Sequence, residues 1–165
     1  MIAQLGQGML TSVLIYALTL IGAVPLALPL ALARGGKSKI ARLLTGAYIS
    51  FMRGTPLMLQ LIAVYFGPWY LFRIRISDGY RLYAVIIAFV LNYAAYFAEI
   101  YRAGIAAVPK GQREAAAVLG YTNAQAFFRI VLPQVIKHIL PPMANEFITL
   151  SLIHISEPTR LGMIS

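Results

Sequence analysis

Long apolar runs separated by short polar segments dominate this chain. Met9 to Ala33 comprises 25 residues without a charged side chain, and Leu82 to Ala98 comprises 17. Leu43 to Phe72 comprises 30 residues interrupted only by Arg53, so part of it is expected to tilt or to lie at an interface. A helix rises about 1.5 Å per residue and a hydrocarbon core is about 30 Å thick, so these runs can form membrane spans. With a fourth run from Val135 to Ile153, the pattern predicts an all-α membrane protein.

The composition agrees with this prediction. Hydrophobic residues make up 60% of the chain and charged residues 12%, which excludes an ordinary soluble domain and makes the lipid bilayer a partner. The net charge of +9 would also suit a nucleic-acid-binding protein, but most basic residues lie in the polar segments between the spans. Nine of them fall in the first and third segments and three in the second. The positive-inside rule then places the N-terminus outside and the third segment in the cytoplasm, and we expect no nucleic-acid partner.

Residues for catalysis or metal binding are scarce. The chain has no cysteine and only two histidines, and we find no metal-binding cluster, P-loop or nucleophile motif. The few carboxylates are scattered, so no acid–base pair can be nominated. We therefore expect a protein that is not an enzyme and that binds no metal or cofactor of its own.

Polar side chains within the spans are candidates for a translocation path. A charge at the bilayer centre costs at least about 2.5–3.5 kcal/mol unless it is paired or hydrated. Arg53 either extends to the cytoplasmic interface or pairs with Glu99, whereas Glu99 and Arg102 share a helix face and can neutralise each other. Glu146 must be paired, protonated or hydrated, and a structural hydrogen bond is favoured over substrate contact. The candidate residues are Arg53, Gln60, Asn92, Glu99, Arg102 and Glu146.

The third polar segment, residues 109–133, is expected to fold into a compact knob. Residues 112–119 are rich in helix formers, and Gly120 permits the positive φ that ends a helix. Thr122 and Gln125 have the spacing of a capping box that starts a second helix. Two short helices joined by a glycine turn would form a rigid unit, which can transmit motion that a flexible loop would absorb.

The spacing E-A-A-x3-G-x9-I-x-L-P resembles the cytoplasmic coupling loop of ABC-importer permeases at every consensus position. It comprises Glu114, Ala115, Ala116, Gly120, Ile130, Leu132 and Pro133. The segments Arg53 to Pro56 with Gln60, Asn92 to Ile105, and Val108 to Gln112 resemble the narrower polar amino acid uptake family. The resemblance covers roughly residues 8–153.

This resemblance implies a type I ABC importer transmembrane domain in a bacterial inner membrane, with about four of five expected transmembrane helices present. It implies a second permease subunit, identical or paralogous, and an extracytoplasmic amino-acid-binding protein. Two separate ABC ATPase subunits would carry ATP and Mg²⁺. Glu114, Ala115, Ala116 and Gly120 would form the part of the knob that docks on the ATPase. Ile130, Leu132 and Pro133 would anchor it to the next span.

The C-terminal segment departs from the family pattern. We expect the domain, incomplete, to cover residues 1–153, and residues 154–165 to be a non-family tail of artefactual origin that replaces the last helix. Three alternatives to an amino acid importer remain at this point. They are a permease of the same type for another small solute, a truncated fragment with no transport activity, and a channel or secondary carrier that needs no ATPase.

Overall fold

The computed structural model describes residues 2–36, 38–73 and 80–161, and every regular element in these ranges is helical. The helices are α1 (Ile2–Gly35), α2 (Lys39–Gly54), α3 (Leu57–Phe72), α4 (Tyr80–Ala107), α5 (Lys110–Val118), α6 (Asn123–Ala126) and α7 (Leu132–Leu161). A π-helical turn, Phe127–Val131, connects α6 to α7. The prediction of an all-α protein is confirmed.

Helix α4 is the centre of the fold, since α1, α2, α3 and α7 all pack against it. Its contact with α1 is the most extensive. Both helices carry buried alanines, whose small side chains let the backbones approach closely. These buried alanines are Ala23, Ala27 and Ala31 on α1 and Ala84, Ala88, Ala94, Ala95 and Ala98 on α4. The small residues of α4 therefore form part of a helix–helix interface.

Larger buried side chains join α4 to the other helices. Phe97 on α4 meets Phe147 on α7 edge to face, with ring centroids 5.6 Å apart. The Tyr48 hydroxyl on α2 donates a hydrogen bond of 2.6 Å to the carbonyl of Leu91. The large apolar side chains on the outer faces of α1, α2 and α3 are exposed, as expected of helices whose solvent is lipid.

The second predicted span is broken into two helices. Residues 43–72 were expected to exceed one crossing, with part of the run tilted or at an interface, and the chain bends by 110° between α2 and α3. The cause is local: Pro56 disfavours the helical conformation at Thr55, which adopts φ −109° and ψ 143°. The Thr55 hydroxyl and amide both bond to the Phe51 carbonyl and so close the end of α2.

Within the described ranges, α1 over Gly8–Gly35 and α4 over Leu82–Ala107 are each long and apolar enough to cross a membrane. The bent pair α2–α3 supplies a third crossing if it acts as one broken span. At 30 residues α7 has sufficient length, but Lys137, His138, Asn145 and Glu146 make it more polar than the others.

Candidate coupling knob and intramembrane cavity

The segment between α4 and α7 folds into the expected knob. Val108 and Pro109 end α4, and α5 follows from Lys110 to Val118. Gly120 has φ 78°, and the amides of Gly120 and Tyr121 bond back to the carbonyls of Ala117 and Ala116, each at 3.0 Å. This is a Schellman arrangement, which satisfies the carbonyls that a helix end leaves free.

The start of α6 is fixed just as firmly. The Thr122 side chain accepts a hydrogen bond from the Gln125 amide, and the Gln125 side chain accepts one from the Thr122 amide, which completes the capping box. The predicted glycine turn and capping box are both confirmed. Since both sides of the turn are held by hydrogen bonds, α5 and α6 have a defined relative orientation.

The two expected short helices are present as α5 and α6, and the second does not end before α7. α6 has four residues and continues through the π-helical turn into α7 without a break. Pro133 explains the turn, because it has no amide to give the Arg129 carbonyl and its ring would collide with that group. Opening the preceding turn to π geometry relieves the collision, and the Leu132 amide bonds to the Phe127 carbonyl.

The knob is anchored by a small buried cluster of valines. Val108 at the end of α4, Val131 in the π-helical turn and Val135 on α7 pack together, with Ile105, Phe127 and Ile139 around them. The residues expected to anchor the knob, Ile130, Leu132 and Pro133, lie beside this cluster rather than in it. Ile130 and Leu132 are half-buried and Pro133 is exposed, because the side chain that faces α4 on this turn is Val131.

Residues of the Glu-Ala-Ala motif occupy two different environments. Ala116 is 1% exposed and packs inside the knob, whereas Glu114 and Ala115 are exposed. The most exposed large apolar residues of the knob, Val118 at 88% and Leu119 at 72%, lie beside the glycine turn. The sequence reasoning missed these two, although apolar residues at the end of a polar segment are the signal of a docking surface.

A cavity of about 370 Å³ lies between α2, α4 and α7. The Arg53 guanidinium sits 5.2 Å from the centre of the Tyr96 ring, a cation–π contact that stabilises the cation without neutralising it. Arg102 donates from Nε to both Glu99 carboxylate oxygens at 3.0 Å, so the local pair forms. Three of the candidate translocation-path residues, Arg53, Glu99 and Glu146, line this cavity, together with small residues and His138.

Gln60 and Asn92 do not reach this cavity. They are 7% and 6% exposed and bond to each other, with the Asn92 amide nitrogen 2.8 Å from the Gln60 side-chain oxygen. Both also donate to the Met52 carbonyl at the end of α2, and Gln60 donates to Thr55 as well. These two residues hold the break between α2 and α3 against α4.

These features define a class: a multi-helix membrane domain with a compact knob between two of its helices and a cavity lined by charged side chains. A family model for the binding-protein-dependent transport system inner membrane component matches residues 23–158, and the chain belongs to this family.

Known relatives are named as amino acid permeases. The chain is 39% identical to the L-cystine transport system permease protein TcyB of Bacillus subtilis over 88% of its length and 61% of the relative's. It is 47% identical to the B. subtilis arginine transport system permease protein ArtQ, over 63% of this chain and 46% of the relative. It is 38% identical to the putative glutamine transport system permease protein GlnP of Rickettsia conorii, over 87% of this chain and 65% of the relative. The chain thus spans about half to two thirds of these relatives.

A solved structure supports the fold directly. The crystal structure of an amino acid ABC transporter with histidines matches with a TM-score of 0.77 and 38% identity, over 88% of this chain and 66% of that one. The fold is therefore the type I ABC importer transmembrane domain. The relatives are named as transport permeases and not as enzymes.

Proposed function

We propose that this chain is the membrane-spanning permease subunit of an ATP-driven amino acid importer in a bacterial inner membrane. Its family, and relatives named for cystine, arginine and glutamine transport, support the class of protein and of solute. The observation that carries the mechanism is the knob of residues 109–133, rigid at its turn and anchored on two helices. It faces the cytoplasm and couples to a separate ABC ATPase.

The knob transmits force to the cavity through α7. Val118 and Leu119 at the tip contact the ATPase, and the valine cluster holds the knob to the ends of α4 and α7. His138 and Glu146 on α7 line the cavity, facing Arg53 on α2 and Glu99 on α4. Closure of two ATPase subunits, driven by ATP, moves the knob and shifts one wall of the cavity relative to the others.

The charges of the cavity suit a zwitterionic solute. Arg53 offers a cation to a substrate carboxylate, and Glu146 offers a carboxylate to a substrate ammonium group. Glu99 is paired with Arg102 on the same helix and is therefore less available to a substrate. A second permease subunit and an extracytoplasmic amino-acid-binding protein complete the assembly.

Single-cysteine labelling tests the orientation, because the chain contains no cysteine of its own. Val118→Cys places a thiol at the exposed tip of the knob. Tyr70→Cys places one near the C-terminal end of α3. A membrane-impermeant maleimide should label Val118→Cys only in inverted vesicles and Tyr70→Cys only in right-side-out vesicles. Labelling of Val118→Cys from the outer surface would refute the proposed coupling.

Reconstitution tests the coupling and the solute. The chain is co-expressed with an ABC ATPase and a binding protein of an amino acid importer, and ATP-dependent uptake of labelled amino acids is measured in vesicles. We expect the ATPase no longer to co-purify with the Val118→Asp variant, because the complex would bury the new charge against an apolar docking site. Gln112→Ala, an exposed change on the same helix outside the Glu-Ala-Ala motif, serves as the comparison and should still co-purify. Uptake that persists without ATP would contradict the proposal.

A further inference from the structure

A second cavity, of about 440 Å³, lies at the end of the molecule where α1 and α4 finish. Three helices contribute cations to its wall: Arg34 from α1, Arg102 from α4, and Lys110 and Arg113 from α5. These residues are up to 79 positions apart, since 113 − 34 = 79, and the fold brings them together. Four positive side chains around one cavity repel one another unless an anion lies among them.

The described part of the chain supplies only one carboxylate to this group. Glu99 holds Arg102, through hydrogen bonds of 3.0 Å to Nε. Arg34 donates a hydrogen bond of 3.2 Å to the Arg42 carbonyl, which satisfies a donor without neutralising the charge. No described acidic side chain forms an ion pair with Lys110 or Arg113, and the first turn of α5 contains no acidic residue. Among the described residues, Arg34, Lys110 and Arg113 therefore form no salt bridge.

The rest of the lining is apolar. Ala31 and Leu32 precede Arg34 by about one helical turn, and Ile105 and Ala106 lie on the last turn of α4 before Lys110 and Arg113. Apolar residues thus continue from the spans up to the ring of cations. A free phosphate ion would use only the cations, whereas a phospholipid places its phosphate among them and its acyl chains along the apolar wall.

We propose that this cavity binds the headgroup of an anionic phospholipid, with Lys110 and Arg113 as its principal ligands and Arg34 deeper in the site. The occupied leaflet follows from the orientation in the proposed function and is the cytoplasmic one. Because the site borders the first turn of α5, the bound lipid also fixes the base of the knob.

Native mass spectrometry of the full chain in detergent tests the proposal without an ATPase or a transport assay. Phosphatidylglycerol and phosphatidylcholine of matched acyl chains are titrated separately. We expect phosphatidylglycerol to bind about tenfold or more tightly, because each basic residue near an anionic headgroup contributes roughly a factor of five. The variant with Lys110→Gln and Arg113→Gln together should lose this preference.

The matched control is Arg129→Gln, an exposed cation on the π-helical turn that does not line the cavity. It should retain the preference for phosphatidylglycerol, and circular dichroism should show equal helix content in all variants. Equal binding of the two lipids to the wild-type chain, or an equal loss in Arg129→Gln, would overturn the proposal. So would complete displacement of phosphatidylglycerol by excess inorganic phosphate, which would indicate a site for a free anion. If the lipid preference is absent but Val118→Cys is labelled only in inverted vesicles, the lipid site is refuted and the proposed function stands.

Discussion

The Asn92 side-chain amide on α4 donates a hydrogen bond of 2.8 Å to the Gln60 side-chain oxygen on α3, where both are buried. The same two side chains donate to the Met52 carbonyl at the end of α2. This carbonyl lies near the end of the helix, where Pro56 and the extended Thr55 interrupt the helical hydrogen bonds. The pair therefore stabilises a helix break that lipid alone could not satisfy.

Removing one partner of this pair should destabilise the fold. We expect Asn92→Leu to lower the free energy of unfolding by about 1–3 kcal/mol, because the Gln60 oxygen loses its donor in a buried site. Unfolding by a denaturing detergent measures the change. Asn123→Ala, a change at an exposed asparagine outside the spans, is the control and should be nearly neutral. A double-mutant cycle with Gln60→Leu that shows no coupling would contradict direct interaction between the two side chains.

Substitution at Gly120 should uncouple transport without preventing insertion. A methyl group there meets nothing within 4 Å, so the only obstacle is φ 78°, which a β-branched residue adopts with strain. We expect Gly120→Val to abolish uptake while the chain still reaches the membrane.

Gly111 provides the matched control for this variant. It also has open space around it, but it lies inside α5 with an ordinary helical φ. Gly111→Ala should therefore support normal uptake, and Gly120→Asn should be milder than Gly120→Val because asparagine tolerates the left-handed region. Wild-type uptake by Gly120→Val at matched expression would disprove the role of the turn.

Loss of the capping box should loosen the knob. Thr122→Ala removes the side-chain acceptor of the Gln125 amide and should destabilise α6 by about 0.5–2 kcal/mol. Hydrogen exchange at the amides of residues 123–126 should become faster, while exchange in α4 stays unchanged. Thr122→Ser retains the hydroxyl oxygen and should exchange at the wild-type rate. Unchanged protection in Thr122→Ala would show that tertiary packing alone holds α6.

The crossing of α4 and α7 depends on Gly104. A methyl group there would overlap the Cγ2 atom of Ile139, whose side chain is also part of the packing around the valine cluster. Gly104→Ala should therefore separate the helices and cost about 1–3 kcal/mol of stability. Adding Ile139→Ala should recover part of this loss by removing the overlapping atoms. A double variant less stable than the sum of the two single variants would exclude a steric cause.

The parts of the structure that were predictable from sequence depend on neighbouring residues. Gly120, Thr122 and Gln125 specify their turn and cap within six positions, and the Glu99–Arg102 pair lies within one helical turn. The break at Thr55 was missed because continuous apolarity suggested one helix, although the Thr-Pro step was a local signal against it.

Other features depend on contacts between distant segments. The cation–π contact of Arg53 requires Tyr96, 43 positions later, since 96 − 53 = 43, and no spacing rule connects them. Val131, rather than the predicted Ile130 and Leu132, anchors the knob. The reason is the π-helical turn, which changes the direction in which successive side chains point. The burial of Gln60 and Asn92 likewise became visible only once α3 and α4 were placed together.

From Asn123 to Leu161 the backbone is helical without interruption, through α6, the π-helical turn and α7. At about 1.5 Å per residue this gives a rod more than 50 Å long, with the apolar tip of the knob beside one end and Glu146 beyond its middle. If this continuous helix moves as one body, a small sideways displacement at its base would tilt the whole of α7. In the proposed importer, the transport cycle would then require no unfolding of this helix, only its rotation about the valine cluster.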